Sequence, residues 1–517
     1  MRLDHLPKEM LLEFVPFLTR HDLAQLVLVC KSWYSLFIPH LYHHVMLPLN
    51  DYCGSGYGRM RFGKPDLPVR RFTMALIENP SLALLIHSLE LYPSDCEGKW
   101  QNRPPLQPLI EDKYRPSMLP HGDSKRKYRR KFHTWRRDLK PRSERQDWYR
   151  DWRYEDAWLA LLLVQVKNLE KFAMKLPEEW FHLTEDCQLK RSVHFERVIQ
   201  WASNPSLGVL TRLSHVSLTN GPAFWEPGTA VNAMPLHRLI PFLRIPSLRK
   251  LYVKDACDRL RFKIPRDLAP QLTHLDLEAP GGRLPNLPGL LERCTGLQSF
   301  TLEQDDWEDG HRHDCLDFSS LYRPLLQSRS SLRHLKITFP STRSWQDAEV
   351  PKPVFFGSLA EFPNLQSVHM RWNNLMPFFG NGISSAPTSL RELLPCSLKH
   401  LFLEDCLIQS TWLLCDELEG LFIHFSETLP LLETLYLRYA AREQVCGQGC
   451  RNCARGWSEW QMMKPDPVLN GRLLELQDKF RGLGVDFHVI KQEVPVKFPQ
   501  ESAIRKKWLW ERSGKLR

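Results

Sequence analysis

Three cysteines near the C-terminal end of the chain have a spacing that suits metal ligation. Cys446, Cys450 and Cys453 lie close together, and Gly447 and Gly449 allow the backbone to wrap tightly around an ion. Three thiolates in such a turn bind zinc when a fourth ligand comes near. The alternative is a cysteine-containing turn without a metal, and isolated short spacings favour it. We therefore predict no cofactor, with zinc at these cysteines as the alternative.

Two other stretches resemble ligand-binding motifs but lack an essential residue. Residues 58–64 have most of the spacing of a phosphate-binding loop, but Pro65 replaces the hydroxyl residue that would bind magnesium. The stretch 305–315 is rich in Asp and His but lacks the carboxylate positions of a calcium loop. Nucleophile elbows, zinc-protease helices and dinucleotide fingerprints are absent from the sequence. These absences predict a binding protein without catalytic residues.

The net charge of +11 is concentrated in two segments. Residues 125–153 carry thirteen Lys/Arg against four Asp/Glu, and residues 502–517 carry six against one. The first segment follows a proline-rich stretch and interleaves Trp135, Trp148 and Trp152 with arginines. Such a mixture can stack on bases and hold phosphates. A solvated arm is the favoured interpretation, so nucleic acid is not an expected partner.

A six-residue pattern recurs along most of the chain and must position whatever the protein binds. Apolar residues occupy its first, fourth and sixth positions. The ten occurrences are Ile86/Leu89/Leu91, Leu169/Phe172/Met174, Leu213/Val216/Leu218, Leu248/Leu251/Val253, Leu272/Leu275/Leu277, Leu297/Phe300/Leu302, Leu332/Leu335/Ile337, Leu365/Val368/Met370, Leu398/Leu401/Leu403 and Leu432/Leu435/Leu437. Residues 485–489 offer a further strand. Helix-like segments precede several occurrences, at 158–166, 195–202, 236–243, 287–294 and 321–326.

One strand and one helix cannot bury an apolar face alone, but stacked units share a core. The recurring pattern resembles that of irregular leucine-rich repeats. The resemblance covers residues 85–490 and implies an α/β solenoid, a horseshoe of parallel strands with outer helices. The periods exceed the usual repeat length, and the family's asparagine is mostly absent. The alternative is a non-repeat α/β domain with several leucine-rich strands.

The first forty-odd residues predict a small helical unit. Pro7 can begin a helix, and Thr19 with Asp22 has the spacing of a capping box for a second helix. Pro16 should shorten the first helix, and Pro39 should end a third one. So short a segment needs a partner to complete its core.

Residues 6–42 closely resemble the F-box, and F-boxes precede irregular repeats of this kind in fungal proteins. The resemblance implies docking on a Skp-type adaptor, which bridges to a cullin and a RING subunit. The matching adaptor-binding residues are Leu6, Pro7, Met10, Leu11, Phe14, Leu18, Leu23, Val29, Cys30, Lys31 and Trp33. The predicted organisation is F-box 1–45, linker and start of the solenoid 46–84, solenoid 85–490 with an insertion at 94–150, and a basic tail 491–517.

Strand residues between the apolar anchors should face the concave side of a horseshoe, the surface that solenoids often use for binding. We predict target-binding residues there, forming basic and aromatic bands around an acidic centre. They are Tyr252, Lys254, Asp276, Glu278, Glu303, Lys336, Arg371, Phe402, Tyr436 and Arg438.

These features predict the substrate-recognition subunit of a Skp–cullin–F-box ubiquitin ligase. One alternative is an F-box scaffold or chromatin-associated factor that uses the basic insertion, and another is a metal-dependent activity at the cysteines. The N-terminus has no apolar signal region, and no apolar run is long enough to span a bilayer. We therefore expect the cytoplasm or nucleus, and no membrane partner.

Overall fold

The computed structural model describes residues 6–50, 68–94, 135, 152–176, 193–220, 234–258, 262–280, 284–305, 319–338, 355–376, 388–406, 408–439, 443–444, 460–461 and 467–490. The chain divides into an N-terminal unit, residues 1–334, and a C-terminal unit, residues 335–517. The glycine-rich stretch 51–67, residues 306–318, the three cysteines and the basic tail lie outside the described residues.

Three short helices open the N-terminal unit: α1 (Lys8–Glu13), α2 (Arg20–Leu26) and α3 (Lys31–His43). Leu11, Leu23 and Phe37 form their small core, and Trp33 is among the partly buried residues around it. Thr19 caps α2: its Oγ1 accepts from the Asp22 amide, and the Asp22 carboxylate accepts from the Thr19 amide. The predicted capping box is confirmed.

The two prolines of these helices behave differently. The α-helical part of α1 ends at Glu13, and a 3₁₀ turn, Val15–Phe17, contains Pro16, as predicted. Pro39 was expected to end the third helix, but α3 continues to His43. The last turn of α3 is held by packing, because Leu41 lies against the helical core and Tyr42 stacks on Phe72.

A strand that the sequence pattern did not predict follows α3 directly. It is β1 (His44–Asn50), whose Val45 and Leu47 align with Leu89 and Leu91 of β2 (Ser88–Ser94). Residues 46–50, which lie in the segment predicted as linker and start of the solenoid, are therefore part of a strand. Pro48 obscures the pattern, although Tyr42, Val45 and Leu47 have the recurring anchor spacing.

Five more strands continue the parallel sheet of the N-terminal unit in sequence order. They are β3 (Lys171–Leu176), β4 (His215–Asn220), β5 (Lys250–Val253), β6 (His274–Pro280) and β7 (Ser299–Asp305). Each begins two residues after the first anchor of a predicted block, and the anchors are buried.

Helices precede or follow these strands and pack on one another. They are α4 (Pro68–Glu78), α5 (Pro80–Ala83), α6 (Trp152–Gln165), α7 (Val193–Ala202), α8 (Ile240–Leu243), α9 (Leu287–Leu291) and α10 (Ser319–Leu325). The five predicted helical segments overlap α6 to α10, although α6 begins six residues before its predicted start and the first half of segment 236–243 is a 3₁₀ turn, Leu236–Leu239. A short parallel pair, Met234–Pro235 with Ala256–Cys257, lies beside them.

The C-terminal unit repeats the scheme. Its strands are β8 (His334–Thr338), β9 (Ser367–Arg371), β10 (His400–Cys406), β11 (Thr434–Tyr439) and β12 (Asp486–Ile490), in that order. The pairs from β9 to β12 are parallel. Its helices are α11 (Trp372–Leu375), α12 (Leu390–Leu393), α13 (Ile408–Ile423), α14 (Phe425–Thr428) and α15 (Pro467–Gly482). An antiparallel pair joins Glu443–Gln444 to Trp460–Gln461.

The α/β fold class is therefore confirmed: a helical N-terminal domain precedes an open, parallel-stranded sheet with helices, the pattern of a leucine-rich-repeat solenoid. In each of the two units, every predicted anchor block contributes a strand that contains its second and third anchors, and the additional strand at the C-terminal end is present in the C-terminal unit. Among the described helices, none combines the length and the apolar character that crossing a membrane requires.

Candidate functional site

The N-terminal helices expose large apolar side chains. Met10 and Phe14 are about half exposed, and Phe17 is 85% exposed. The connection between α2 and α3 exposes Leu28 (77%) and Val29 (63%). Solvent exposure of this kind costs free energy unless a partner covers the side chains. These residues are the strongest indication of a docking surface on the N-terminal helices.

The predicted adaptor-binding residues divide into two groups by burial. Pro7, Met10, Phe14, Val29, Cys30 and Lys31 are exposed, and Cys30 is the N-cap residue of α3. Leu11 and Leu23 are buried in the helical core, while Leu6, Leu18 and Trp33 pack against it. Because their side chains are occupied by this core, these five residues position the surface rather than form its exposed part.

The sequence reasoning did not select three exposed apolar residues: Phe17, Leu28 and Tyr34. A signal for the first was available, because Pro16 ends the regular helix and rotates the next side chain away from the helical stripe. Leu28 lies in the turn after α2, where helical periodicity no longer indicates which way a side chain points.

In the N-terminal unit, several predicted target-binding residues meet on the strand face opposite the anchors. The Tyr252 hydroxyl donates to Glu278 Oε1 at 2.7 Å, and Lys254 Nζ lies 3.9 Å from Glu278 Oε2. Asp276 and Glu303 are half-buried on the same face of β6 and β7. The expected acidic centre is therefore present, but Glu278 is already engaged by a tyrosine and a lysine.

In the C-terminal unit, one row of the sheet is aromatic. The strand register aligns His369, Phe402, Tyr436 and His488 on four neighbouring strands. Successive ring centroids are 4.0, 5.9 and 5.2 Å apart. The Arg438 guanidinium lies 5.1 Å above the Phe402 ring, a favourable cation–π arrangement.

A buried carboxylate accompanies this aromatic row. Glu404 lies where the register of β10 with β11 shifts, and its Oε1 is 2.7 Å from His369 Nε2 and 3.0 Å from Arg438 Nη1. Burial raises the pKa of Glu404, but His369, Arg438 and Lys336 outweigh burial and leave the pKa below its usual value. Burial is the largest influence on His369 and, with Lys336 and Arg438, holds its pKa below the usual value, although Glu404 opposes this effect.

The burial of this region corrects part of the predicted target-binding set. Phe402 is fully buried and Arg371 is 6% exposed, so neither side chain lies on an open face. Every residue of β9 is buried, and α11 follows it immediately and packs against β10. Tyr436, Arg438 and Lys336 remain half-buried, which leaves them within reach of a partner.

One residue of the basic insertion has a defined structural role. Trp135 is buried, its Nε1 donates to the Ala157 carbonyl at 3.1 Å, and its ring stacks on Trp201 at 5.8 Å. Arg197 lies 5.9 Å from the same ring. Trp135 is therefore occupied by protein contacts and is not a platform for a nucleic-acid base.

Comparison with known families agrees with this architecture. A leucine-rich repeat domain model matches residues 138–418, more than half of the chain, and an F-box-like model matches residues 3–48. The chain belongs to the leucine-rich-repeat family and carries an F-box-like domain at its N-terminus. F-box domains typically bind Skp-type adaptors, and the two domains together are typical of non-catalytic adaptor proteins. A search of curated proteins gave no match.

Proposed function

We propose that the chain is the target-recognition subunit of a Skp–cullin–F-box ubiquitin ligase, acting in the cytoplasm or nucleus. The observation that carries the proposal is the exposure of Met10, Phe14, Phe17, Leu28 and Val29 on an F-box whose core, among the described residues, contains three buried side chains. A Skp-type adaptor would cover these side chains, and the adaptor would bridge to a cullin and a RING subunit.

The mechanism of such a subunit is proximity. The F-box fixes the chain to the ligase, while the polar strand faces of the repeats hold a target protein. Holding the target near the conjugating enzyme raises the effective concentration of its lysines, so the reaction is accelerated without catalytic groups in this chain. The adaptor, the cullin, the RING subunit and the target are all partners within this proposal.

Co-purification with a Skp-type adaptor and its cullin tests the proposal. The variant Met10→Glu/Val29→Glu places charge on two residues that are at least half exposed, so folding should be preserved. Leu6 is less suitable because it packs against the helical core. The matched control is Ile423→Glu/Leu474→Glu, which charges two similarly exposed apolar residues of the C-terminal unit.

We expect the wild type and the control to retain adaptor and cullin, and the F-box variant to lose both. Equal retention by all three proteins would contradict adaptor docking at this surface. Adaptor binding without cullin would instead support a scaffold outside a ligase. The buried position of Trp135 gives no support to the alternative of nucleic-acid binding through the basic insertion.

A further inference from the structure

Lysine and histidine alternate along one row of the sheet in the N-terminal unit. The strand register pairs Lys171 with His215, His215 with Lys250, and Lys250 with His274, on the four neighbouring strands β3 to β6. We call these four residues the lysine–histidine row. The next residue of each strand is a buried anchor, and successive side chains of a strand point to opposite faces. The row therefore lies on the face away from the core.

The two lysines of this row carry the positive charge that the face offers to a ligand. Lys171 is exposed and Lys250 is half-buried, and neither forms an ion pair within the part of the chain that the structure describes. The other polar groups of the row are imidazoles: His215 Nδ1 contacts the Ser214 hydroxyl at 2.7 Å, and His274 Nδ1 contacts the Thr273 hydroxyl at 2.9 Å.

Burial and the neighbouring positive charges lower the pKa of both imidazoles in the row. Burial, then Lys250 and Lys171, lower the pKa of His215 to about 4, and Glu170 opposes them only in part. Burial, then Lys250, His334 and His215, lower the pKa of His274 to about 4. The row therefore has two charged lysines and two neutral histidines at neutral pH. An anion placed there would meet two lysines that form no ion pair among the described residues.

We infer that the lysine–histidine row binds an acidic segment of the captured protein, an inference that rests on the proposed function of target recognition. Neighbouring strands are about 4.8 Å apart, so the backbones at Lys171 and Lys250 are separated by roughly 10 Å. An extended segment places side chains of one face about 7 or 13 Å apart, at spacings of two or four residues. Flexible lysine side chains reach either spacing.

The same face disfavours a long polyanion. Asp276 and Glu278 follow His274 on β6, and Glu303 lies beside Glu278 on β7. A continuous phosphate backbone would be repelled by these carboxylates, whereas a short acidic segment can end before them. A nucleic acid is therefore the alternative occupant that the experiment must exclude.

Fluorescence anisotropy with the full chain at low salt tests the inference. The probe is a fluorescein-labelled short peptide of alternating Glu and Ser, compared with its Gln/Ser counterpart and with single-stranded DNA of equal charge. The variant is Lys171→Gln/Lys250→Gln. The matched control is Lys263→Gln/Lys479→Gln, which removes the same charge from two exposed lysines elsewhere. Adaptor co-purification is measured on every protein.

We expect the row variant to bind the acidic peptide about tenfold more weakly than the wild type, and the control to stay within about twofold. The Gln/Ser peptide should not bind measurably, and adaptor capture should be unchanged. The inference would be overturned if both variants bound the acidic peptide equally weakly, or if the wild type did not bind it at all. It would also be overturned if the wild type bound DNA more tightly than the peptide and the row variant lost this DNA binding. Peptide binding without adaptor capture in any protein would refute only the proposed function.

Discussion

Asp156 is a fully buried carboxylate that holds the start of a helix. It belongs to α6, and its two oxygens accept from the His194 and Phe195 amides of α7 at 2.9 Å each. These amides are among the first of α7 and lack partners within the helix. Burial nevertheless raises the pKa of Asp156 to about 7, although the two amides lower it. The same side chain therefore caps a helix and carries a desolvation cost.

This conflict predicts a pH dependence of stability. Because the folded pKa of about 7 lies above the usual aspartate value of 3.8, the stabilisation that Asp156 contributes is fully present below pH 3.8 and is lost as the pH rises through 7. Asparagine does not titrate. The unfolding free energy of Asp156→Asn should therefore rise relative to the wild type between pH 4 and 7, by roughly 2–4 kcal/mol.

Denaturant unfolding of both proteins across this pH range measures the difference. Asp267→Asn is the control, because Asp267 is an exposed partner of Arg244 and its replacement should change the unfolding free energy by at most about 1 kcal/mol. A constant difference for Asp156→Asn would show that the carboxylate is ionised throughout the range.

At the scale of elements, Trp135 connects the basic insertion to two helices. Its ring lies 5.1 Å from His194 and 5.8 Å from Trp201, both on α7, while its Nε1 donates to a carbonyl of α6. A buried tryptophan with a satisfied N–H contributes both apolar burial and a hydrogen bond. The residue that the sequence grouped with a basic arm is therefore part of the packing of α6 and α7.

We expect Trp135→Ala to lower the unfolding free energy of the N-terminal unit by about 3–5 kcal/mol, since the substitution leaves a cavity. Thermal unfolding monitored by circular dichroism measures the change. Tyr34→Ala serves as the control in the same unit: its ring is 45% exposed, so its loss should cost at most about 1 kcal/mol. Similar costs for the two substitutions would show that Trp135 is not part of the core.

At the scale of the whole molecule, the structure joins the F-box directly to the first strand of the N-terminal unit. Arg20 of α2 donates to the His44 carbonyl at 2.7 Å, and Tyr42 stacks on Phe72 of α4 at 6.1 Å. His43 stacks on His87, whose Nδ1 lies 3.0 Å from Glu170 Oε1. Contacts of this kind hold an F-box in one orientation on its repeats, which a proximity mechanism requires.

The double variant Arg20→Ala/Tyr42→Ala should loosen this junction. Hydrogen exchange is the measurement, and we expect the amides of β1 to exchange about tenfold faster because fewer contacts oppose local opening. The amides of β10 and β11 in the C-terminal unit are the internal control and should be unchanged. Unchanged exchange in β1 would show that pairing with β2 alone holds the strand.

The sequence by itself determined the repeat strands that follow β1 and the presence of the three F-box helices. Alternating anchors such as Leu89 and Leu91 identify a strand, because only one face of a strand packs against the core. Thr19 with Asp22 identifies the start of a helix, because each side chain accepts a hydrogen bond from the backbone amide of the other residue. The exposed members of the adaptor-binding set, such as Met10 and Val29, also came from sequence, although their role stays a prediction.

Only the tertiary structure decided which polar positions remain accessible. Strand periodicity assigns Arg371 and Phe402 to the face away from the anchors, but it does not show that α11 packs against β10 or that Arg438 covers the Phe402 ring. The sequence likewise predicted that the third helix ends at Pro39. In the structure α3 extends to His43, where Leu41 and Tyr42 pack against neighbouring residues. Local patterns specify the direction of a side chain, while burial depends on residues far away in the chain.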